Sequence, residues 1–453
     1  MNKEIPFYKG KGIFGLSTDF LKNVAQFAHE KEAEMGDFYR VKLFVPLFVA
    51  LRPDIIKHVL QANAKNYRKS RAYTQLKLAL GNGLVTSEGH FWRRQRKMAQ
   101  PAFYKTRLEE LFVEMSKVTD KYIADLKKQV EQKQVIEIDK EMMQVTADIV
   151  LRTLFSSDNP NETDATYKMM AEMQEYVIHR VHKPFLIPLQ YINGNHQKFV
   201  KYRSSFNDRI FQLINERRQM QDRPNDLLSM LLDARDAETG EGMTDEQLRD
   251  EAITIFSAGH ETSANALAWT LHLLAQHPEF VEKLRAEEAH VLDGKTPTFD
   301  DLRQLQYHQQ VIEEGMRLYP PAHALGREAI EEDEIDGVKI PKNGVVFISI
   351  FALHRSPKYW KDPLQFNPDR FSPEEKKKRP KLTYLPFGAG ARMCIGNHFA
   401  MMEMQLLLAR LIRHFDFETA SDEPIGFIPL ITLKPKNAIQ LICKPRTQLE
   451  AAI

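Results

Sequence analysis

The sequence predicts a mainly α fold with a small β part, and three observations carry the prediction. Long segments with helical periodicity fill residues 53 to 283. Among them, the run from Thr244 to His277 contains no proline and would be about 48 Å long as a helix, enough to cross a domain. Strand-like stretches gather in two places, about 38–70 and 322–360.

In chain order, "FYRVKLFVPLFVAL" at 38–51 is aromatic and β-branched with a proline break, the pattern of two short strands. Polar stretches such as "SSDNPNETD" at 156–164 separate the helical segments that follow. Thr244 and Gln247 have the spacing of a capping box at the start of the long helix, and Pro278 stops it. "LQYHQQVIEEGMRLY" is a second helix, ended by Pro320 and Pro321, and "GVKIPKNGVVFISI" reads as strands joined by a proline turn. Residues 362–394 have no strong period, and so long a coil inside a compact domain is usually functional. No repeat or linker divides the chain, so residues 1–453 are expected to form a single domain.

Apolar residues at 43% and charged residues at 27% exclude disorder as the default. With 63 Lys and Arg against 61 Asp and Glu, the chain is nearly neutral and offers no general basis for nucleic-acid binding. Two cysteines, Cys394 and Cys443, build neither a disulfide framework nor a four-cysteine zinc site, and they fit a reducing compartment. The N-terminus lacks the apolar core of a signal peptide. The longest early apolar run, Leu43 to Leu51, contains Pro46 and is too short for a membrane span. The expectation is a soluble, cytoplasmic protein.

The stretch "LPFGAGARMCIGNHFA" at 385–400 sets Cys394 among glycines, beside an arginine and just before the helical run "NHFAMMEMQLLLARLIRHF". A metal-binding cysteine must be a thiolate, which backbone N–H groups and a helix N-terminus stabilise. Gly388, Gly390 and Gly396 permit tight or left-handed backbone there. One cysteine without neighbouring ligands is a poor zinc or iron–sulfur site, whereas haem iron needs only one protein atom. The bland alternative, a buried small hydrophobe, suits Cys443 in the strand-like "AIQLICKP".

Phe387, Gly388, Gly390, Arg392, Cys394 and Gly396 match every fixed position of FGxGxRxCxG, and the chain thereby resembles the cytochrome P-450 family. Three further motifs follow the family's order: "AGHET" at 258–262, "EEGMR" with Glu314 and Arg317, and "FNPDRF" with Arg370. The resemblance spans about 38–443 and implies the P-450 fold, its long central helix crossing a haem opposite the cysteine loop. It also implies a haem b cofactor ligated by Cys394. Ala258 and Gly259 would leave room for dioxygen, and Glu261 with Thr262 would be the acid–alcohol pair that supplies protons for O–O cleavage. Glu314, Arg317 and Arg370 would brace the cysteine loop, a structural role. Haem propionates call for cations, and the family positions are Trp92, Arg96, Arg327 and Arg392, with His90 a weaker candidate. His260 is assigned a structural place, since Ala264 stands where HExxH needs a second histidine.

The implied reaction is monooxygenation of an apolar substrate by O2, with no reductase domain after residue 453. Electrons would come from a ferredoxin or flavodoxin type donor and its reductase. The basic runs "EEKKKRPK" at 374–381 and "RRQRK" at 93–97 would steer that partner. Pocket positions are Val85, Ala258, Thr262, Ala322 to Leu325 (including Ala324), Leu430 and Ile431, nearly all apolar. A fatty acid and a terpenoid or steroid are both open as substrates. Val85 replaces a bulkier aromatic of the fatty-acid branch, and "LFVPLFV" is placed at the channel mouth. A peroxide-driven peroxygenase or haem-dependent isomerase, and a non-catalytic haem sensor, are the competing functions.

Overall fold

The computed structural model describes residues 4–10, 12, 17–157, 160–182 and 187–446. Its centre is the helix Asp245–Gln276, capped by the reciprocal bonds of Thr244 and Gln247 and buried along most of its length. The helices Lys105–Gln132, Ile138–Phe155, Asn195–Gln219, Gln306–Leu318 and Asn397–His414 pack around it in one continuous apolar core. Pro278 ends the long helix by opening the next, Pro278–Leu292, at a first-turn position where its missing N–H costs nothing.

Six strands form the main sheet, in the order Phe7–Tyr8, Phe38–Lys42, Pro46–Ala50, Val345–Ser349, Ala324–Ala329, Tyr67–Lys69. Pro46–Ala50 runs parallel to Val345–Ser349, so residues nearly 300 apart are paired in register. Strands also lie outside the two β-rich stretches. Phe415–Thr419, Gln440–Pro445 and Val135–Glu137 make a second sheet, and Phe427–Pro429 pairs with Leu433–Pro435 in a hairpin. Cys443 lies buried in the second sheet, away from the cysteine loop.

Two local expectations are corrected. The polar stretch at 156–164, of which residues 158 and 159 lie outside the described residues, gives way at Pro160 to the helix Pro160–His182. A proline is well suited to a first helical turn, and it hides the helix from a reading that treats proline as a breaker. Leu47, Phe48 and Val49 of "LFVPLFV" are sheet core, not a channel mouth; Phe44, at the strand turn, is 72% exposed, and Pro46 is exposed beside it. Among the described residues, no helix is long and apolar enough to cross a membrane.

Candidate active site

The cysteine loop is shaped by backbone bonds. The Cys394 N–H donates to the Phe387 carbonyl at 3.0 Å, and the Gly388 N–H to the Leu385 carbonyl at 3.1 Å. Gly390 has φ +73° and a Cβ there would stand 2.0 Å from the Leu60 carbonyl oxygen, so only glycine fits. Gly388 is also left-handed, at φ +71°. Gly396 is not: its φ is −91°, and it serves through its N–H, which faces the Cys394 sulfur at the start of Asn397–His414. Cys394 is exposed. Burial of the loop around it raises the thiol above its usual value, with the Gly396 N–H and the Arg96 guanidinium pulling the other way. The chain alone therefore holds a thiol, and a bound iron would deprotonate it outright.

Behind the loop lies a brace of buried charge. Glu314 and Arg317 are 0% exposed and pair through two bonds of 2.6 and 2.9 Å. Arg317 spends its remaining donors on the carbonyls of His354, Pro363 and Gln365 at 2.7–3.0 Å. Glu314 also accepts the Asn367 N–H at 2.8 Å and stands 3.4 Å from Arg370, whose guanidinium holds the Lys361 and Asp362 carbonyls. His354, pushed well below its ordinary pKa by burial and by Arg317, is neutral, so its Nε2 accepts the Leu385 N–H at 2.8 Å. That imidazole joins the brace to the cysteine loop. Its sequence signal, a lone histidine in "ALHRSP", is too weak to find unaided.

In front of the loop the structure gathers cations. Arg392 lies 4.2 Å over the buried Trp92 ring, donates to the Ser87 carbonyl at 3.2 Å and pairs with Glu88. Arg327 is buried beside it, in register with Lys69 across two strands. Lys69 donates to the Leu84 and Ser87 carbonyls at 3.0 and 3.2 Å and is lowered to about 7 by burial and by Arg392 and Arg327. Among the described residues neither Lys69 nor Arg327 forms an ion pair. Three mutually repelling cations beside one carboxylate form a cradle suited to added anionic groups, such as two propionates. Lys69 and Glu88 were not found from the sequence, because their meaning lies in long-range neighbours. Arg96 donates to the Met393 carbonyl, at 3.0 Å, next to the cysteine. His90 is exposed in the first turn of Gly89–Ala99.

On the long helix, Ala258 is exposed and Thr262 partly so within an otherwise buried segment, marking the face that lines an open space. At Gly259 a Cβ would meet Val150 at 3.1 Å, so this glycine permits the close approach of Ile138–Phe155. The Thr262 hydroxyl donates to the Ala258 carbonyl at 2.7 Å. Glu261 is buried, accepts from the Thr432 hydroxyl and pairs with Lys434 at 3.0 Å. Burial pushes this carboxyl up, but Lys434 and Thr432 outweigh it and hold it below the ordinary value. His260 is buried, with Nδ1 on the Phe256 carbonyl at 2.8 Å. Val85 is half-buried against the main core, next to Leu84, whose N–H reaches Glu251 at 3.0 Å. Leu325 lies beside the loop, 3.7 Å from the Cβ position of Gly388. Ala324 and Leu430 are half-buried and Ile431 exposed.

The family model for Cytochrome P450 matches residues 9–442. The chain belongs to the cytochrome P450 family. Among its curated relatives, the "Cyclooctatin synthase" of Streptomyces melanosporofaciens is 33% identical over 428 residues, covering 91% of this chain and 89% of the relative. The "Cyclooctat-9-en-7-ol 5-monooxygenase" of the same organism is 30% identical, over the same shares of the two chains. "Cytochrome P450 4V2" of Rattus norvegicus is 31% identical, covering 95% and 86%. The crystal structure of the cytochrome P450DA heme domain superposes with TM-score 0.89 at 25% identity, covering 99% of each chain. The protein is therefore a cytochrome P450 monooxygenase with the P450 fold and a haem cofactor, and it uses O2 and a redox partner on apolar substrates.

Proposed function

We propose that this P450 hydroxylates a C–H bond of a fatty acid or terpenoid skeleton, using haem b ligated by Cys394 and electrons from a ferredoxin or flavodoxin type donor. When bound, the haem supplies dioxygen activation, which a thiolate ligand promotes by pushing electron density towards O–O cleavage. The observation that carries this reading is an exposed lone cysteine at a helix start, beside buried cations that have too few acids of their own.

Each residue's part follows from its surroundings. Lys69, Arg327 and Arg392 hold the propionates, with Trp92 stacked beneath Arg392 and His90 at the rim. Arg96 sets the cysteine's neighbour in place, while Phe387, Gly388 and Gly396 give the loop its path. Thr262 holds a proton at its Oγ1 on the exposed face of the long helix, and Glu261 is the carboxylate that reloads it. Glu314, Arg317 and Arg370 bind no ligand; they keep the loop rigid. Val85, Ala258, Ala324, Leu325, Leu430 and Ile431 offer an apolar surface that selects by shape and excludes water. A relative named cyclooctat-9-en-7-ol 5-monooxygenase supports the terpenoid arm.

The test is spectral. Purified protein supplied with haemin should show a red-displaced Soret band when reduced under carbon monoxide, and Cys394→Ser should lose it. A band unchanged in that variant overturns the ligand. A panel of fatty acids and terpenoids, read by displacement of the iron's water ligand, then separates the two substrate classes.

A further inference from the structure

We propose that the hairpin Phe427–Pro429/Leu433–Pro435 is an occupancy-sensitive lock on Glu261: Thr432 and Lys434 hold the carboxylate away from Thr262, and an apolar substrate pressing on Leu430 and Ile431 releases it. This rests on the reading of Glu261 and Thr262 as the proton-supplying pair.

Neighbouring residues leave a helix about 100° apart, so an acid and an alcohol in sequence do not face each other unless something turns them. Here the contacts turn them apart. The Thr262 hydroxyl folds back onto the Ala258 carbonyl on the exposed face, and the Glu261 carboxylate reaches the other way, to Thr432 and Lys434. An ionised carboxylate paired with an ammonium has no proton to give. The arrangement is therefore an off state for proton supply.

The segment that imposes this state also carries two of the proposed pocket positions. Leu430 and Ile431 are the turn of the same hairpin, immediately before Thr432. The Leu430 N–H is shared by the Ile428 and Thr432 carbonyls at 3.1 and 3.0 Å, so the turn is tight and a push on Ile431 is transmitted to Thr432. The turn is tied to the strand that carries Ala324 and Leu325 through His323 Nε2 and the Leu430 carbonyl, 3.0 Å apart. The Leu433 N–H reaches the Pro321 carbonyl at 2.9 Å. Pocket positions and lock thus form one mechanical unit.

Both partners of Glu261 have somewhere to go. Asn265 already donates to the Thr432 hydroxyl at 3.1 Å. Lys434 is 30% exposed on a cleft of about 470 Å³ that Glu175, His179, His260 and Glu261 also line, so its ammonium can turn to water or to Glu175. The same cleft gives Glu261 access to solvent protons once it is free. In an empty enzyme the lock prevents the wasteful reduction O2 + 2e⁻ + 2H⁺ → H2O2, which needs both protons delivered without a substrate to oxidise.

The experiment uses haem-loaded protein and 1-dodecylimidazole, whose ring is a nitrogen ligand for iron and whose tail fills an apolar pocket. Occupancy is read from the Soret shift, and Lys434 acylation by a limiting amine-reactive ester is read by peptide mass spectrometry, with Lys444 as reference. Occupancy should raise Lys434 labelling about fivefold, the factor for releasing a partly exposed ion pair. A full Soret shift with unchanged Lys434 labelling overturns the lock but leaves the monooxygenase reading intact; absence of any Soret shift overturns the haem site and the lock with it. As a second measurement, Lys434→Met should increase substrate-free peroxide formation severalfold while Lys434→Arg does not. Equal peroxide formation in a folded, haem-loaded Lys434→Met protein also overturns the lock.

Discussion

The two sides of the active site are built in opposite ways. The cysteine side is fixed by a buried ion pair whose guanidinium grips three backbone carbonyls, and by a loop in which Gly390 admits no side chain. The long-helix side is held by exchangeable side-chain contacts: one hydroxyl on its own helix, one carboxylate on a hairpin. A buried guanidinium tied to a carboxylate and three carbonyls at once cannot change partners without disrupting the fold, whereas a single hydroxyl, or a carboxylate held by one hairpin, can. On the proposed roles, a ligand to iron needs one geometry and a proton donor must change state in every cycle, so each side has the construction that its proposed task requires.

The largest effect should come from breaking the rigid side. Arg317→Leu takes the bidentate partner from the buried Glu314 and leaves it only Arg370 at 3.4 Å and the Asn367 N–H, which costs about 3 kcal/mol. Urea denaturation should show that loss, together with poor haem retention. A variant with wild-type stability would mean the brace contributes little, and the contrast between the two sides would fail.

Thr262→Val tests the other side, with the opposite signature. Among the described residues the hydroxyl bonds only within its own helix, so stability should change by less than ~0.5 kcal/mol. Product formed per electron consumed should fall by about a hundredfold, the size of a lost proton-transfer group. Measuring both quantities on one preparation decides the point, since a purely structural threonine would leave product yield alone.

What could be read in the sequence divides along similar lines. The long helix was legible because its signals are local: the capping box, a proline-free run and Pro278 all act within one turn. The Glu314–Arg317 pair was legible for the same reason, three residues apart on one helix. Long-range partners were not. Nothing near Lys69 in the chain announces Arg327 and Arg392, and nothing near Glu261 announces Lys434, more than 170 residues later. The second sheet was hidden because Val135–Glu137 gains its identity only by pairing with Gln440–Pro445. The helix Pro160–His182 was masked by a polar start that mimics a loop.

A smaller effect separates the His354 link from the ion pair behind it. Because His354 is held neutral in the fold, the unfolded chain binds one more proton than the folded chain once pH drops below about 6.5. Its contribution to stability is full above that pH and is lost as pH falls. His354→Gln keeps an acceptor for the Leu385 N–H but cannot titrate, so the stability gap between wild type and variant should shrink, or change sign, between pH 7 and pH 5. A gap that stays constant with pH would show that His354 is not buried in its neutral form.

The smallest effect concerns reduction by the electron donor. Two of the four lysines in "EEKKKRPK" already have intrachain acids: Lys376 pairs with Glu313 and Lys378 with Glu375, both at 2.5 Å. In "RRQRK", Arg94 pairs with Glu241 at 3.1 Å and Lys97 with Glu238 at 3.1 Å. Each run therefore projects far less positive field than its sequence suggests, and surface pairs of this kind contribute little energy. Replacing Lys376, Lys377 and Lys378 by glutamine should slow reduction by a ferredoxin or flavodoxin by no more than about threefold at low salt, vanishing above physiological ionic strength. Next to the cysteine, a cleft of about 850 Å³ is lined by Phe387, Gly388, Met393 and Arg303. Arg303→Gln should slow reduction more than the triple lysine change, because Arg303 forms no ion pair among the described residues while two of the lysines do. Stopped-flow reduction across a salt series measures both, and a triple variant slower than Arg303→Gln would return the docking role to the lysine run.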